Sequence, residues 1–368
     1  DSIRLSLLTC APGEEIYSLF GHTAIRYENS SQGIDIVFNY GLFSFNTPNF
    51  IFRFSLGETD YQLGVTDYEH FAAEYAFYGR SVWQQTLNLT DEEKTKLIQL
   101  LQENYRPENR VYRYNFFYDN CATRPRDKIE ESIAGKVVYP TEPQDGSRTF
   151  RDIVHQYCKG HPWARFGIDL CIGSEADQPI TQRQMMFAPF YLMDAFDGAQ
   201  IKGDSIQRPL ITANELVVDA TPEPDESGWM PTPLQCTLLL FILTTAATIY
   251  GIRRRTGLWG IDLVLFGMAG IVGCVLAFLA LFSQHPAVSS NFLLLVFHPG
   301  QLLFLPYIVY CVRKGKKCWY LTLNLAVLTL FIVLFPVIPQ RFDFAVVPLA
   351  LVLLIRSASN LIVTSKKK

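Results

Sequence analysis

The sequence predicts an α+β extracytoplasmic domain followed by a membrane domain of five transmembrane helices. Three observations carry that prediction. A histidine, His22, enters a strand-like run near the start of the chain, a cysteine, Cys121, stands at the start of a helix further on, and five apolar stretches fill the last third. Hydrophobic residues make up 49% of the 368 positions, and the net charge of −3 gives no reason to expect a nucleic-acid partner. About 230 residues precede the apolar stretches, enough for one domain with a real core.

The elements follow in order. Residues 3–9 read as a strand, and 13–19 as a short helical or turn segment. It leads into Leu19-Phe20-Gly21-His22-Thr23-Ala24-Ile25-Arg26, where a glycine hinge precedes alternating small and apolar residues. A second strand is expected at 34–40, turned by Ser30, Ser31 and Gly33. Further strands are predicted at 50–56 and 61–65, across Gly57-Glu58, then a helix at 67–77 and a strand at 81–89. Thr90-Asp91-Glu92-Glu93 opens a helix with a capping box and apolar positions at Leu97, Leu100 and Leu101, which must end before Pro107. The aromatic run 112–117 is extended and delivers the chain to Asn120-Cys121 and a helix at 127–133. Residues 136–200 are less regular, and 204–233 reads as a Pro-rich acidic connection with one short strand at 215–219. The expected boundaries are 1–200 for the extracytoplasmic domain, 201–234 for the connection, 235–364 for the membrane domain and 365–368 for a basic tail.

The apolar stretches are 236–250, 258–282, 292–311, 319–338 and 344–354, the last extending toward 363. Several reach the ~20 residues that span a bilayer. Arg253, Arg254 and Arg255 follow the first; Arg313, Lys314, Lys316 and Lys317 follow the third; Lys366, Lys367 and Lys368 end the chain. The alternate connections, 283–291 and 339–343, hold one basic residue, Arg341, between them. The positive-inside rule makes the three basic sites cytoplasmic and places the first 235 residues outside the cytoplasm. Export needs a targeting signal, so a cleaved signal peptide is expected ahead of Asp1. Inside the third stretch, His298-Pro299-Gly300 marks a kink or a broken helix.

Cys121 is the candidate nucleophile. With Asp119 or Asn120 as N-cap, the helix amides and dipole are expected to favour its thiolate. Pro125 is awkward there, because in a regular helix its ring meets the carbonyl of Cys121. His22 is the candidate base, and a third group should hold its imidazole by the other nitrogen. Asn39, on the neighbouring strand, is the candidate for that role, with Asp35 and Glu15 as rivals. The bland alternatives are a buried structural thiol and a satisfied strand histidine. Arg124 and Arg126 offer forked donors for a lipid phosphate, against a plain salt-bridged helix face. Of the extracytoplasmic cysteines, Cys158 and Cys171 are expected to bridge, with a zinc site at His155-x-x-Cys158-x-x-His161 plus Cys171, or unpaired buried thiols, as the rivals. No cofactor or metal is otherwise called for, and a monomer is expected.

A histidine strand, antiparallel strands and then a cysteine helix reverse the order of a papain-like hydrolase. The arrangement is similar to the circularly permuted papain-like fold of lecithin:retinol acyltransferase and its relatives. A closer resemblance covers nearly the whole chain. Phe-Gly-His-Thr-Ala-Ile-Arg at 20–26, Phe-Asn-Tyr-Gly at 38–41, Pro-Glu-Asn-Arg at 107–110 and Tyr-Asn-Phe-Phe-Tyr-Asp-Asn-Cys-Ala-Thr-Arg at 114–124 resemble the Lnb-type bacterial lipoprotein N-acyltransferases. The resemblance implies a Cys121–His22 enzyme of the bacterial inner membrane, its catalytic domain periplasmic. It would move a fatty acyl chain from a phospholipid, through a Cys121 thioester, to the α-amine of a diacylglyceryl-cysteine on a lipoprotein. The alternative is a thiol-dependent phospholipase or NlpC/P60-like amidase at the membrane surface.

Overall fold

The computed structural model describes residues 2–43, 48–141, 146–203, 207–221 and 229–365. The basic residues Lys366, Lys367 and Lys368, and residues 204–206 and 222–228 of the acidic connection, lie outside the described residues. The chain divides into two compact units, Asp1–Tyr157 with Pro179–Glu226, and Cys158–Gln178 with Ser227–Lys368.

The first unit is built on a mostly sequential antiparallel sheet. Its strands are β1 (Ile3–Cys10), β2 (His22–Asn29), β3 (Ile34–Leu42), β4 (Asp60–Asp67), β5 (Val82–Leu87), β6 (Val111–Arg113) and, from near the unit's end, β10 (Ile211–Val218), in the order β10-β5-β1-β2-β3-β4-β6. A small second sheet joins β7 (Lys136–Val138), β8 (Gln200–Lys202) and β9 (Gln207–Pro209). Helices α1 (Phe50–Ser55), α2 (Tyr68–Phe77), α3 (Asp91–Tyr105), α4 (Thr123–Ser132), α5 (Phe150–Tyr157), α7 (Gln182–Met185) and α8 (Pro189–Asp197) complete it, while α6 (Pro162–Cys171) falls in the second unit. The period-two alternation of the strands feeds two apolar layers. Leu5, Leu7, Ile25, Phe38 and Tyr40 pack with Leu97 and Leu101 of α3, Ile129 of α4 and Leu192 and Phe196 of α8. Leu8, Cys10, Ala24 and Val37 pack on the opposite face with Phe71 and Tyr75 of α2.

Local chemistry explains most boundaries. Thr90 caps α3 through the predicted box, its hydroxyl taking the Glu93 amide at 3.3 Å while the Glu93 carboxylate takes the Thr90 amide at 2.9 Å. The strand expected at 50–56 is instead helix α1. Its N-cap Asn49 adopts a left-handed backbone (φ 56°), which turns the chain into a helix before any ladder can form. Gly21 has φ +79°, and a Cβ there would sit 2.6 Å from the Cys10 carbonyl oxygen, so only glycine admits this tight approach into β2.

The second unit holds α9 (Pro233–Arg254), α10 (Trp259–Phe282), α11 (Gly300–Leu303), α12 (Leu305–Lys314), α13 (Trp319–Leu334) and α14 (Val346–Ser365). Among the described residues three helices, α9, α10 and α14, are long and apolar enough to cross a membrane. The third stretch is broken twice: the turn at 292–295 gives way at His298-Pro299-Gly300 before α11, and the halves Phe292–Leu303 and Leu305–Lys314 are bent by 75° at Phe304. The fourth stretch yields a helix of only 16 residues, α13. A buried Arg356 grips Asp262 with two bonds of 2.7 and 3.0 Å and Thr248 with a third of 3.0 Å, tying α14 to α10 and α9.

Residues 158–178 depart from the expected boundary by joining this unit. The Leu170 carbonyl accepts from Asn291 Nδ2 at 2.7 Å, the Gly173 amide donates to Ala287 O at 2.7 Å, and Asp177 pairs with Arg341 at 3.0 Å. Cys158 and Cys171 both carry free thiols, correcting the expected bridge. Cys158 faces Asp169 and Arg165 of α6, and residues two apart on a helix point away from each other, which turns Cys171 elsewhere. Among the described residues no three metal-ligating side chains converge, so the zinc alternative finds no geometry either.

Candidate active site

His22 opens β2 opposite Cys10 of β1, two residues before the β2–β3 pairing begins at Ala24 and Asn39. Asn39 therefore projects from the sheet on the same face, and its Oδ1 lies 2.8 Å from His22 Nε2. The same oxygen accepts the Gly41 amide at 2.8 Å. A backbone N–H can only donate, so the atom facing both partners is the amide oxygen. The imidazole nitrogen that meets it must then carry a proton. This network assigns His22 as the Nε2–H tautomer and leaves the Nδ1 lone pair for other work. Gly41 makes room for the ring. A Cβ at that position would lie 2.5 Å from His22 Cε1 and 3.2 Å from Nδ1. Neither Asp35 nor Glu15 contributes to this arrangement. Asp35 is held by Arg26 through bonds of 2.8 and 2.7 Å, and Glu15 lies before the turn at Ile16–Ser18.

Cys121 arrives through an aromatic turn pinned by the Asn115–Asp119 bridge. Asn120, buried, organises the next step. Its Oδ1 accepts the amides of Ala122 (2.8 Å) and Thr123 (3.0 Å), and its Nδ2 donates to the carbonyls of Phe116 (2.8 Å) and Phe187 (2.9 Å). The helix starts after Ala122, so Pro125 falls in its first turn, where its missing N–H costs nothing. The expected conflict with Cys121 is thereby avoided.

The thiol's surroundings differ from expectation. Burial pushes the Cys121 thiol up to about 11, and the nearby amides of Thr23 and of Cys121 itself only partly offset that. The helix-start amides that were expected to favour a thiolate are already taken by Asn120. Burial also lowers His22 to about 4, with the Asn39 bond opposing and the charge of Arg80 assisting. The resting pair at neutral pH is thus a thiol and a neutral imidazole. Thr23, the residue after His22, brings its amide near enough to the Cys121 sulfur to favour the thiolate.

The two arginines are engaged elsewhere. Arg124 binds Asp119 through bonds of 2.6 and 2.8 Å and lies 3.7 Å over the Tyr112 ring. Arg126 is buried, bonded to Asp127 at 2.9 Å and to the Arg183 carbonyl at 3.1 Å. Both guanidinium groups already have carboxylate partners where a lipid phosphate was expected. Sequence reasoning missed Thr23, Gly41 and the double acceptor role of Asn120. Gly41 stood in the Phe-Asn-Tyr-Gly run, but nothing local says that it faces a ring.

Residues 1–155 match the family model described as the Lnb N-terminal periplasmic domain, and residues 225–368 match the one described as the Lnb transmembrane domain. No curated protein and no solved structure matches the chain.

Proposed function

Because the chain belongs to the Lnb family of lipoprotein N-acyltransferase-type membrane proteins, with a periplasmic N-terminal domain, we propose that Cys121 and His22 carry its acyl transfer by a thioester. One observation carries this reading. Asn39 Oδ1, facing both His22 Nε2 and the Gly41 amide, leaves His22 Nδ1 as the free lone pair, and the amide of the next residue, Thr23, lies near enough to favour a Cys121 thiolate.

The steps follow from the neutral pair. His22 Nδ1 takes the thiol proton as Sγ attacks the ester carbonyl of a phospholipid acyl chain. The tetrahedral oxyanion is stabilised by the Thr23 and Cys121 amides, since those of Ala122 and Thr123 are occupied. Collapse breaks the ester bond, and the imidazolium returns its proton to the departing lysophospholipid oxygen. The free α-amine of a diacylglyceryl-cysteine then attacks the thioester. His22 accepts a proton from that amine and passes it to the Cys121 sulfur as the amide forms. Asn39 is a positioning residue throughout, stabilising the imidazolium through Nε2–H. With both lipids anchored in one membrane, holding them at one site removes much of the entropic cost of a two-substrate reaction.

The topology of the proposal counts five crossings in the inner membrane. A periplasmic first domain and alternating basic connections after α9 and α12 require α13 to cross, short as it is, so that the chain ends in the cytoplasm. The test is intact mass of the purified protein after incubation with phospholipid and no acceptor. One acyl chain should be gained, released by hydroxylamine and absent in Cys121→Ala. Accumulating free fatty acid without an adduct would instead make the protein a thiol hydrolase.

A further inference from the structure

A stack of aromatic rings runs inward from the surface of the first unit. Phe54 stacks on Phe50 at 5.9 Å, Phe50 on Phe43 at 6.5 Å, Phe43 on Tyr61 at 4.9 Å and Tyr61 on Tyr114 at 4.1 Å. Its inner end lies within electrostatic range of the nucleophile: burial raises both tyrosine hydroxyls, and the Cys121 charge is the next cause. Its outer end is exposed. On α1, Ile51 is 81% exposed, Phe52 59% and Phe54 50%, and on the turn ahead of His22 both Ile16 and Tyr17 are 64% exposed. Tyr17 meets Phe43 edge-on at 6.1 Å, so the two surface segments join at the same ring of the stack.

Such a patch on a water-facing domain calls for an occupant. The first unit is chained to a membrane domain, so a lipid surface is the one apolar partner always within reach. The charge on α1 points the same way. Arg53, its single charged residue, is neutralised by Asp60 at 2.6 Å and also donates to the Glu58 carbonyl at 3.2 Å. A helix carrying bulky apolar side chains with its only cation internally paired suits the headgroup–acyl boundary of a bilayer.

We propose that α1 and the Ile16–Tyr17 turn dip into the periplasmic leaflet, and that the aromatic stack is the track along which a phospholipid acyl chain lies on its way to Cys121. The track half of the proposal rests on the acyl-transfer reading; the contact with lipid does not. The stack gives a linear chain a flat, polarisable wall with no hydrogen-bonding demand until the tyrosines at its inner end. The ester carbonyl, the polar end of that chain, then meets the polar end of the stack.

The test uses the full chain in nanodiscs. Phe52→Trp adds one emitter to α1, and its contribution, taken as the difference from the parent protein, should be quenched when the lipids carry brominated acyl chains. Unquenched emission overturns the lipid contact, and a dimer cross-linked through α1 would assign the patch to a second copy instead. For the track, Ile51→Asp/Phe54→Asp should slow Cys121 acylation from bilayer phospholipid at least tenfold while iodoacetamide alkylation of Cys121 proceeds at the parent rate. Alkylation that falls in step would mean structural damage to the site and sinks the track. Should the parent protein form no acyl adduct at all, the acyl-transfer reading fails, and the quenching result still decides the lipid contact.

Discussion

Replacing Gly41 by alanine is the sharpest test of the dyad geometry. The backbone there is not left-handed, so alanine adopts it without strain. The added methyl would stand 2.5 Å from His22 Cε1, where carbon atoms normally rest about 3.5 Å apart, so the ring must move by about 1 Å. That motion stretches the 2.8 Å bond from Nε2 to Asn39 to about 3.8 Å, outside hydrogen-bonding range. The lost bond is worth about 1 kcal/mol, and a misplacement of about 1 Å at a reacting group can cost a further ~10²-fold. Cys121 acylation, followed by intact mass, should therefore fall about a hundredfold with the melting temperature nearly unchanged. Gly64→Ala is the control. Its methyl would meet Leu42 Cδ1 at 2.0 Å, a nominally worse clash, but Leu42 is an exposed, flexible side chain that can rotate away. A Gly41→Ala protein acylating within about threefold of the parent rate, or a Gly64→Ala protein equally impaired, would refute the reasoning.

Other outcomes follow from the same structure. With His22 lowered to about 4, the base is free above that pH, so the acylation rate should hold to about pH 5 and fall near 4; a midpoint near 6.5 would mean an unperturbed imidazole. The same lowering means that the unfolded chain binds this proton more readily between about 4 and 6.5, so folding stability is complete above that window and declines as pH falls through it, and His22→Gln should flatten the decline in melting temperature. Asn120→Ala removes two helix-start bonds and two carbonyl bonds from a buried site, and about 2–4 kcal/mol of stability should be lost in thermal melts. Asp262→Leu leaves the Arg356 charge buried and unpaired, costing about 3–5 kcal/mol in detergent melts. Adding Arg356→Leu should restore part of that loss, and a double variant less stable than the single would show that Arg356 is needed for something besides Asp262.

How much could be read in advance depends on where the determining contact lies. The capping box at Thr90, the strand beginning at His22 and the interruption at His298-Pro299-Gly300 are local, and the sequence displays them, whereas the 75° bend itself falls at Phe304. The neighbour relation of His22 and Asn39 needed only the guess that consecutive strands pair. The helix at Phe50–Ser55 misled because its apolar residues face outward, so their spacing reports a surface instead of a buried face. The thiol misled for another reason. A helix start lowers a cysteine pKa only when its amides are free, and Asn120 consumes them from one residue upstream. Membership of 158–178 in the second unit rests on backbone groups, such as Gly173 with Ala287, which leave no mark on residue identity, and on side chains such as Arg341 with Asp177 that meet across 164 residues of sequence.

That excursion changes how the protein can be cut. The covalent chain passes between the two units three times, at 157/158, 178/179 and 226/227. Truncation ahead of α9 would not release a self-sufficient catalytic fragment. It would strip 158–178 of Asn291, Ala287 and Gln340, leaving unmet carbonyls and amides on a tethered loop. A soluble version of the catalytic unit calls for a second excision, joining residue 157 to residue 179 through a short Gly/Ser linker. Any proteolytic or genetic splitting of the two functions has to respect that interleaved chain path.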